Sequence, residues 1–135
     1  MSAPIELLKN VPLFARVPDK ALTSIANGFT DRSFKAGQDL TSEGQGGVGF
    51  FVLESGEAKV TVGGEDRRTL GPGDFFGEIA LIDGGLRTAS VTATTDGKAY
   101  GLTPWQFRPL LEEHAEIAWP LLEAMAARMR ELENR

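Results

Sequence analysis

All sixteen glycines of this 135-residue chain fall between Gly28 and Gly101, and six of its seven prolines fall outside that stretch. Glycine is costly inside helices and useful in tight turns. The distribution therefore divides the chain into a centre of short elements joined by turns and two ends able to form helices. Residues 1–28 predict a short helix over Ile5–Lys9 and a second over residues 18–27. Pro18 suits the first turn of that second helix, Leu22, Ile25 and Ala26 give it an apolar stripe, and Gly28 stops it. In residues 29–102, Lys35-Ala36-Gly37-Gln38, Ser55-Gly56, Gly63-Gly64-Glu65-Asp66, Gly71-Pro72-Gly73-Asp74 and Asp96-Gly97 are turn signals. They separate predicted strands at 31–34, 39–42, 50–54, 58–62, 67–70, 88–94 and 98–102, with a loop over 43–49 and a break in the strand pattern over 75–85. Seven or eight short strands at this spacing imply a mainly β sandwich or rolled barrel rather than a parallel sheet.

Residues 103–135 carry an explicit helix start. Thr103 is placed to cap, Pro104 occupies the first helical position, and Gln106 completes a capping box. Pro109 and Pro120 interrupt the pattern, so two helical pieces with a bend near Trp119-Pro120 are expected. Beyond it, Leu122, Met125, Met129 and Leu132 follow three-four spacing, a stripe for packing on the barrel or on a partner helix. Trp105 and Trp119 are expected to pack in the core or between helix and barrel.

Composition narrows the function. The length suits one domain, residues 1–135, and 41% hydrophobic with 24% charged residues is a foldable balance. No apolar run approaches the roughly 18 residues of a membrane span, and the N-terminus lacks the features of a signal peptide, so a cytoplasmic location away from membranes is expected. The absence of cysteine removes disulfides, thiolate metal sites and cysteine nucleophiles, and the single histidine, His114, is too few for a histidine metal cluster. No metal, cofactor or enzymatic activity is expected. A net charge of −5 argues against nucleic-acid binding.

The informative segment is residues 75–91. A short helix is predicted over 78–82, entered directly from Gly77. Its N-terminal N–H groups would suit a phosphate, and Gly77 lets backbone approach a ligand without a side chain in the way. Arg87 follows the Asp83-Gly84-Gly85 turn, and its planar fork matches phosphate oxygens. Glu78 only accepts hydrogen bonds, which suits a sugar hydroxyl. One acceptor and one phosphate clamp a short distance apart describe a site for a ribose phosphate.

At these residues the chain resembles the cyclic nucleotide-binding domain family. The family's phosphate-binding cassette is similar to Phe76-Gly77-Glu78-Ile79-Ala80-Leu81 followed by Arg87-Thr88-Ala89-Ser90-Val91. Lys35-Ala36-Gly37, Glu43-Gly44, the run from Phe51 to Ala58, and Leu70-Gly71-Pro72-Gly73-Asp74 fall where the family's β-roll has similar turns, so the resemblance spans essentially the whole chain. It implies a double-stranded β-helix, a jelly-roll-like β-roll, with N-terminal helices, a short cassette helix and C-terminal helices. It further implies that Arg87 pairs with a cyclic phosphate, Glu78 accepts from the ribose 2′-hydroxyl beside Gly77, and the N–H groups of Ile79 and Ala80 cradle the phosphate. Thr88, with Ala89 next to it, sits where members contact the phosphate or the base. That leaves the ligand as cAMP or cGMP, with cAMP favoured. The implied function is a sensor whose C-terminal helices signal to an effector protein or domain; the Leu122–Leu132 stripe, on periodicity alone, leaves open whether the last helix packs on the barrel or forms a homodimer. The alternative is an interaction module on the same roll that binds no nucleotide. The helix-turn-helix of the family's transcription factors is not expected here.

Overall fold

The computed structural model describes residues 3–41, 50–77 and 89–134. Helix α1 (Ile5–Lys9), a 3-10 turn at Pro12–Phe14 and helix α2 (Asp19–Asn27) precede strands β1 (Thr30–Phe34), β2 (Asp39–Thr41), β3 (Phe50–Ser55), β4 (Ala58–Val62), β5 (Glu65–Leu70), β6 (Phe75–Phe76), β7 (Ser90–Ala93) and β8 (Gly97–Leu102). Helix α3 (Pro104–Glu113), a 3-10 turn at Ala115–Ile117 and helix α4 (Ala118–Glu133) follow. The strands make two antiparallel four-stranded sheets, β1-β8-β3-β6 and β2-β7-β4-β5. The chain passes repeatedly between them, and the result is the expected mainly β roll with flanking helices.

Two apolar clusters hold this arrangement, and β3 belongs to both. Phe50 and Val52 point from the first sheet into a helix-side cluster with Leu8, Phe14, Leu22, Ile25, Phe29, Tyr100, Leu102, Phe107, Ile117 and Leu121. Phe51 and Leu53 point the other way, into the space between the sheets, with Phe34, Ala58, Val60, Leu70, Phe76, Val91, Ala93 and Ala99. Strand side chains alternate between faces, so the unbroken run Phe50-Phe51-Val52-Leu53 reflects a strand buried on both sides. β5 is an edge of the second sheet and is exposed from Glu65 to Thr69. Its charges, two of them Arg67 and Arg68, blunt an edge otherwise open to further pairing.

The turns fall where the glycines predict. Gly63 and Gly64, at φ +59° and +82°, make the tight β4–β5 hairpin in a conformation that favours glycine. Gly97 is glycine for want of space: a Cβ there would meet the Phe34 ring at 2.6 Å and Gly56 Cα at 2.8 Å. Asp96 fastens the same corner by accepting from the Ala36 N–H at 2.8 Å.

Three local expectations are corrected. The helical break comes at His114, where φ −124° and ψ 67° leave the helix, and not near Trp119-Pro120. Pro120 sits in the first turn of α4, where its missing N–H has no intrahelical acceptor to lose, so it begins a helix rather than bending one. Trp105 and Trp119 are 67% and 70% exposed. Each lies two residues, about 200° of helix, from the residue that takes the inner face, Phe107 on α3 and Leu121 on α4. Within the predicted break, Phe75 and Phe76 form a strand, because β3 offers backbone partners to both. The Thr103–Gln106 capping box is present as expected, whereas the predicted 78–82 helix lies outside the described residues.

Candidate functional site

The approach to the cassette is built from β3. The Gly71-Pro72-Gly73-Asp74 turn closes through the Asp74 N–H to the Gly71 carbonyl at 3.0 Å, and the Asp74 carboxylate accepts from the Gly71 N–H at 2.8 Å. Gly73 donates to the Leu53 carbonyl at 2.8 Å, and Leu53 donates to the Asp74 carbonyl at 2.9 Å. Phe75 and Phe76 then pair with Val52 and Phe51.

These two phenylalanines face opposite clusters. Phe75 packs against the helix-side cluster and lies 5.9 Å from the Phe50 ring. Phe76 is buried between the sheets and stacks on Phe51 at 5.2 Å and 24°. Gly77 follows with φ +89°, in the region that favours glycine. Ala89 and β7 resume the chain on the second sheet, with Ala89 packed against the inter-sheet cluster. The segment singled out in the sequence thus leaves one sheet at Gly77 and joins the other at Ala89. Glu78, Ile79, Ala80, Arg87 and Thr88 lie outside the described residues, so of the candidate set only Gly77 and Ala89 are placed.

Elsewhere the polar clusters have structural work. The Tyr100 hydroxyl donates to Glu54 Oε2 at 2.6 Å, and Lys98 Nζ lies 3.4 Å from Asp31 Oδ2 and 3.9 Å from Glu54 Oε1. The hydrogen bond to Glu54, with burial, raises the Tyr100 phenol above its ordinary range, and the bond to Asp31 raises Lys98. By strand alternation these groups lie on the helix-side face and tie β1, β8 and β3 together, away from the roll interior. His114 sits at the helix break, 3.4 Å from Glu116 Oε1. Among the described residues no cluster of three metal-ligating side chains occurs, and no helix is long and apolar enough to cross a membrane. A recess of about 180 Å³ opens between β1 and β2, lined by buried Phe34, Phe51 and Ala99 with Arg32, Gln38 and Asp39 exposed around them. Arg32 lies over the Phe51 ring at 5.9 Å. This grouping is set by cross-strand register and leaves no signal in linear spacing.

Residues 31–114, from β1 through α3, match the sequence profile of the cyclic nucleotide-binding domain. The chain belongs to that family. This cyclic nucleotide-binding domain is 36% identical over 108 residues to a cAMP-dependent protein kinase regulatory subunit of Colletotrichum orbiculare, covering 78% of this chain and 28% of that protein. It is 28% identical over 134 residues to a CRP-like cAMP-activated global transcriptional regulator of Mycobacterium tuberculosis, covering 96% and 60%. The domain spans less than two thirds of either relative. Its fold matches the N-terminal domain of a transcriptional regulator from Streptomyces coelicolor A3(2), with a TM-score of 0.87 and 29% identity over 95% of this chain and 93% of that one. It also matches the regulatory domain of Toxoplasma gondii PKA, crystallised with cAMP, with a TM-score of 0.72 and 28% identity over 83% and 44%. The family is one of regulatory domains rather than catalysts.

Proposed function

We propose that this domain is a cytoplasmic sensor that binds one cyclic mononucleotide, cAMP in preference to cGMP, in the segment from Gly77 to Ala89. In this reading Arg87 pairs with the cyclic phosphate and the N–H groups of Ile79 and Ala80 cradle it. Glu78 accepts from the 2′-hydroxyl beside Gly77, and Thr88 with Ala89 completes the phosphate or base contacts. Support comes from the intact Glu78 and Arg87 in a member of the family, and from relatives whose names record cAMP dependence. The observation that carries the sensing role is the grip on the cassette entry. Phe75 touches Phe50, which meets Phe14 at 5.7 Å, which meets Phe107 of α3 at 6.5 Å. A cassette that tightened on its ligand would bias the helix layer through that contact chain, shifting a population of α3–α4 positions for an effector to read. Calorimetric titration with cAMP and cGMP tests the reading. Saturable binding at one site per chain is expected, weakened by roughly 1.5–3 kcal/mol or more in Arg87→Ala. Absence of binding to both nucleotides by a folded chain would refute it.

A homodimer through α4 is favoured by a separate observation. Leu122, Met125, Met129 and Leu132 are 54%, 39%, 61% and 51% exposed, a heptad-spaced face that the roll leaves uncovered. Sedimentation of wild type against Leu122→Glu/Met129→Glu tests this. A monomeric wild type would refute it. A dimer in a chain that binds neither nucleotide would instead favour an interaction module.

A further inference from the structure

One transverse row of the first sheet runs Thr30–Gly101–Phe51–Phe76, each residue directly opposite the next. Gly101 has no room for a side chain: a Cβ there would lie 2.8 Å from Phe51 Cε1 and 3.1 Å from Cδ1. The Phe51 ring therefore leans over the glycine. Its other neighbour in the row is Phe76, stacked on it at 5.2 Å, and Phe76 is covalently followed by Gly77, where the backbone turns to φ +89°. All three partners are buried or featureless inside the roll, with Phe51 and Phe76 only 5% and 6% exposed. In a close-packed interior a displaced ring passes its displacement on to what it touches.

We propose that Gly101 and Phe51 are positioning residues for the nucleotide site: by leaving the Phe51 ring space over β8, Gly101 sets the place of Phe76 and hence the direction in which the chain enters the cassette at Gly77. The proposal rests on the nucleotide-binding reading for its functional consequence but not for its geometry. Neither residue touches the ligand in it. Both act through the stack.

A double-mutant cycle tests this. Gly101→Ala should weaken cAMP binding about tenfold, because the overpacked ring displaces the cassette entry that binding needs in place and binding must push it back. In a Phe51→Leu background, with no ring to displace, the same substitution should change affinity by less than about twofold. Equal losses in both backgrounds, or no loss in either, would overturn the proposal. The amide resonance of Gly77 gives a second readout that needs no ligand. It should shift on Gly101→Ala in the wild-type background and stay within the ordinary scatter in Phe51→Leu, and the reverse pattern would overturn the proposal. If wild type binds neither cAMP nor cGMP, the sensor reading fails while the resonance cycle still decides the coupling. Should Gly101→Ala not fold, Phe51→Leu and Phe76→Leu probe the stack from both ends: non-additive effects on the Gly77 resonance support the coupling, and additive effects refute it.

Discussion

Truncating Phe50 should be among the most damaging single changes available in this domain. The side chain is fully buried, and its ring meets Phe14 at 5.7 Å and 88°, Phe29 at 6.0 Å and 72°, and Phe75 at 5.9 Å and 45°. It thus joins the N-terminal turn, the start of β1 and the cassette entry through one residue of β3. Burying a phenylalanine removes at least about 150 Å² from water, worth roughly 4 kcal/mol at about 25 cal/mol per Å². Large-to-small replacements of buried aromatics cost about 3–5 kcal/mol, so about 4 kcal/mol is the expected loss for Phe50→Ala. Phe50→Leu keeps most of the area and loses the ring contacts, for about 1–2 kcal/mol. Trp105→Ala removes a larger aromatic, but from a site 67% exposed, and should cost no more than about 0.5 kcal/mol. Urea unfolding followed by far-ultraviolet circular dichroism orders the three. With a slope near 2 kcal/mol per molar, Phe50→Ala should move the midpoint down by about 2 M. A Trp105→Ala midpoint below that of Phe50→Ala would refute the assignment of which aromatics form the helix-side core.

Other consequences follow from single contacts. Thr103→Ala removes the capping box of α3 and should cost about 0.5–2 kcal/mol in the same unfolding experiment. Gly97→Ala should destabilise by about 1–3 kcal/mol, since the new methyl meets Phe34 and Gly56; Gly71→Ala, with nothing within 4 Å, should be neutral or slightly stabilising. Arg16→Ala breaks a 3.0 Å ion pair to Glu123 whose side chains are 57% and 41% exposed, so its cost should stay under about 1 kcal/mol and vanish at high salt. Tyr100 is the only tyrosine, so tyrosinate absorbance reports it alone. Its hydrogen bond to Glu54 raises the folded pKa, which makes the contribution to stability complete below the ordinary phenol range and lost as pH climbs through the folded value. Titration should show ionisation later in the folded than in the urea-unfolded chain, and Glu54→Gln should narrow the gap.

What the sequence made legible was local. The glycine-rich turns, the Thr103–Gln106 cap and the start and stop of α2 at Pro18 and Gly28 each depend on a few adjacent residues, and each is where the spacing put it. What it hid was tertiary. Nothing in a helical stripe distinguishes Leu121, which the helix-side cluster buries, from Leu122, which is left exposed. The short β6 has no pattern of its own and exists because Phe51 and Val52 stand opposite it. The cassette was recognisable from residue types in order, and the structure adds how its entry is held from both faces. The rings that hold it, Phe50 and Phe51, look like any apolar strand until their neighbours are known.

A strand apolar on both faces loses the usual guard against slippage. On a half-buried strand a shift by one residue would put polar side chains into the core, but over the apolar run Phe50–Leu53 of β3 it would only exchange Phe50 and Val52 for Phe51 and Leu53. The safeguard lies in its neighbour. On the inter-sheet face, β8 sets Gly101 opposite Phe51 and Ala99 opposite Leu53, small against large. On the helix-side face it sets Leu102 opposite Phe50 and Tyr100 opposite Val52, both larger. A slipped β3 would break these large-against-small pairings and turn Glu54 away from Tyr100 towards the inter-sheet face. The alignment of the central strand is thus marked twice, by Glu54 at its end and by alternating side-chain volume on β8, and enlarging Gly101 and Ala99 while shrinking Tyr100 and Leu102 would erase the second mark over the apolar run Phe50–Leu53.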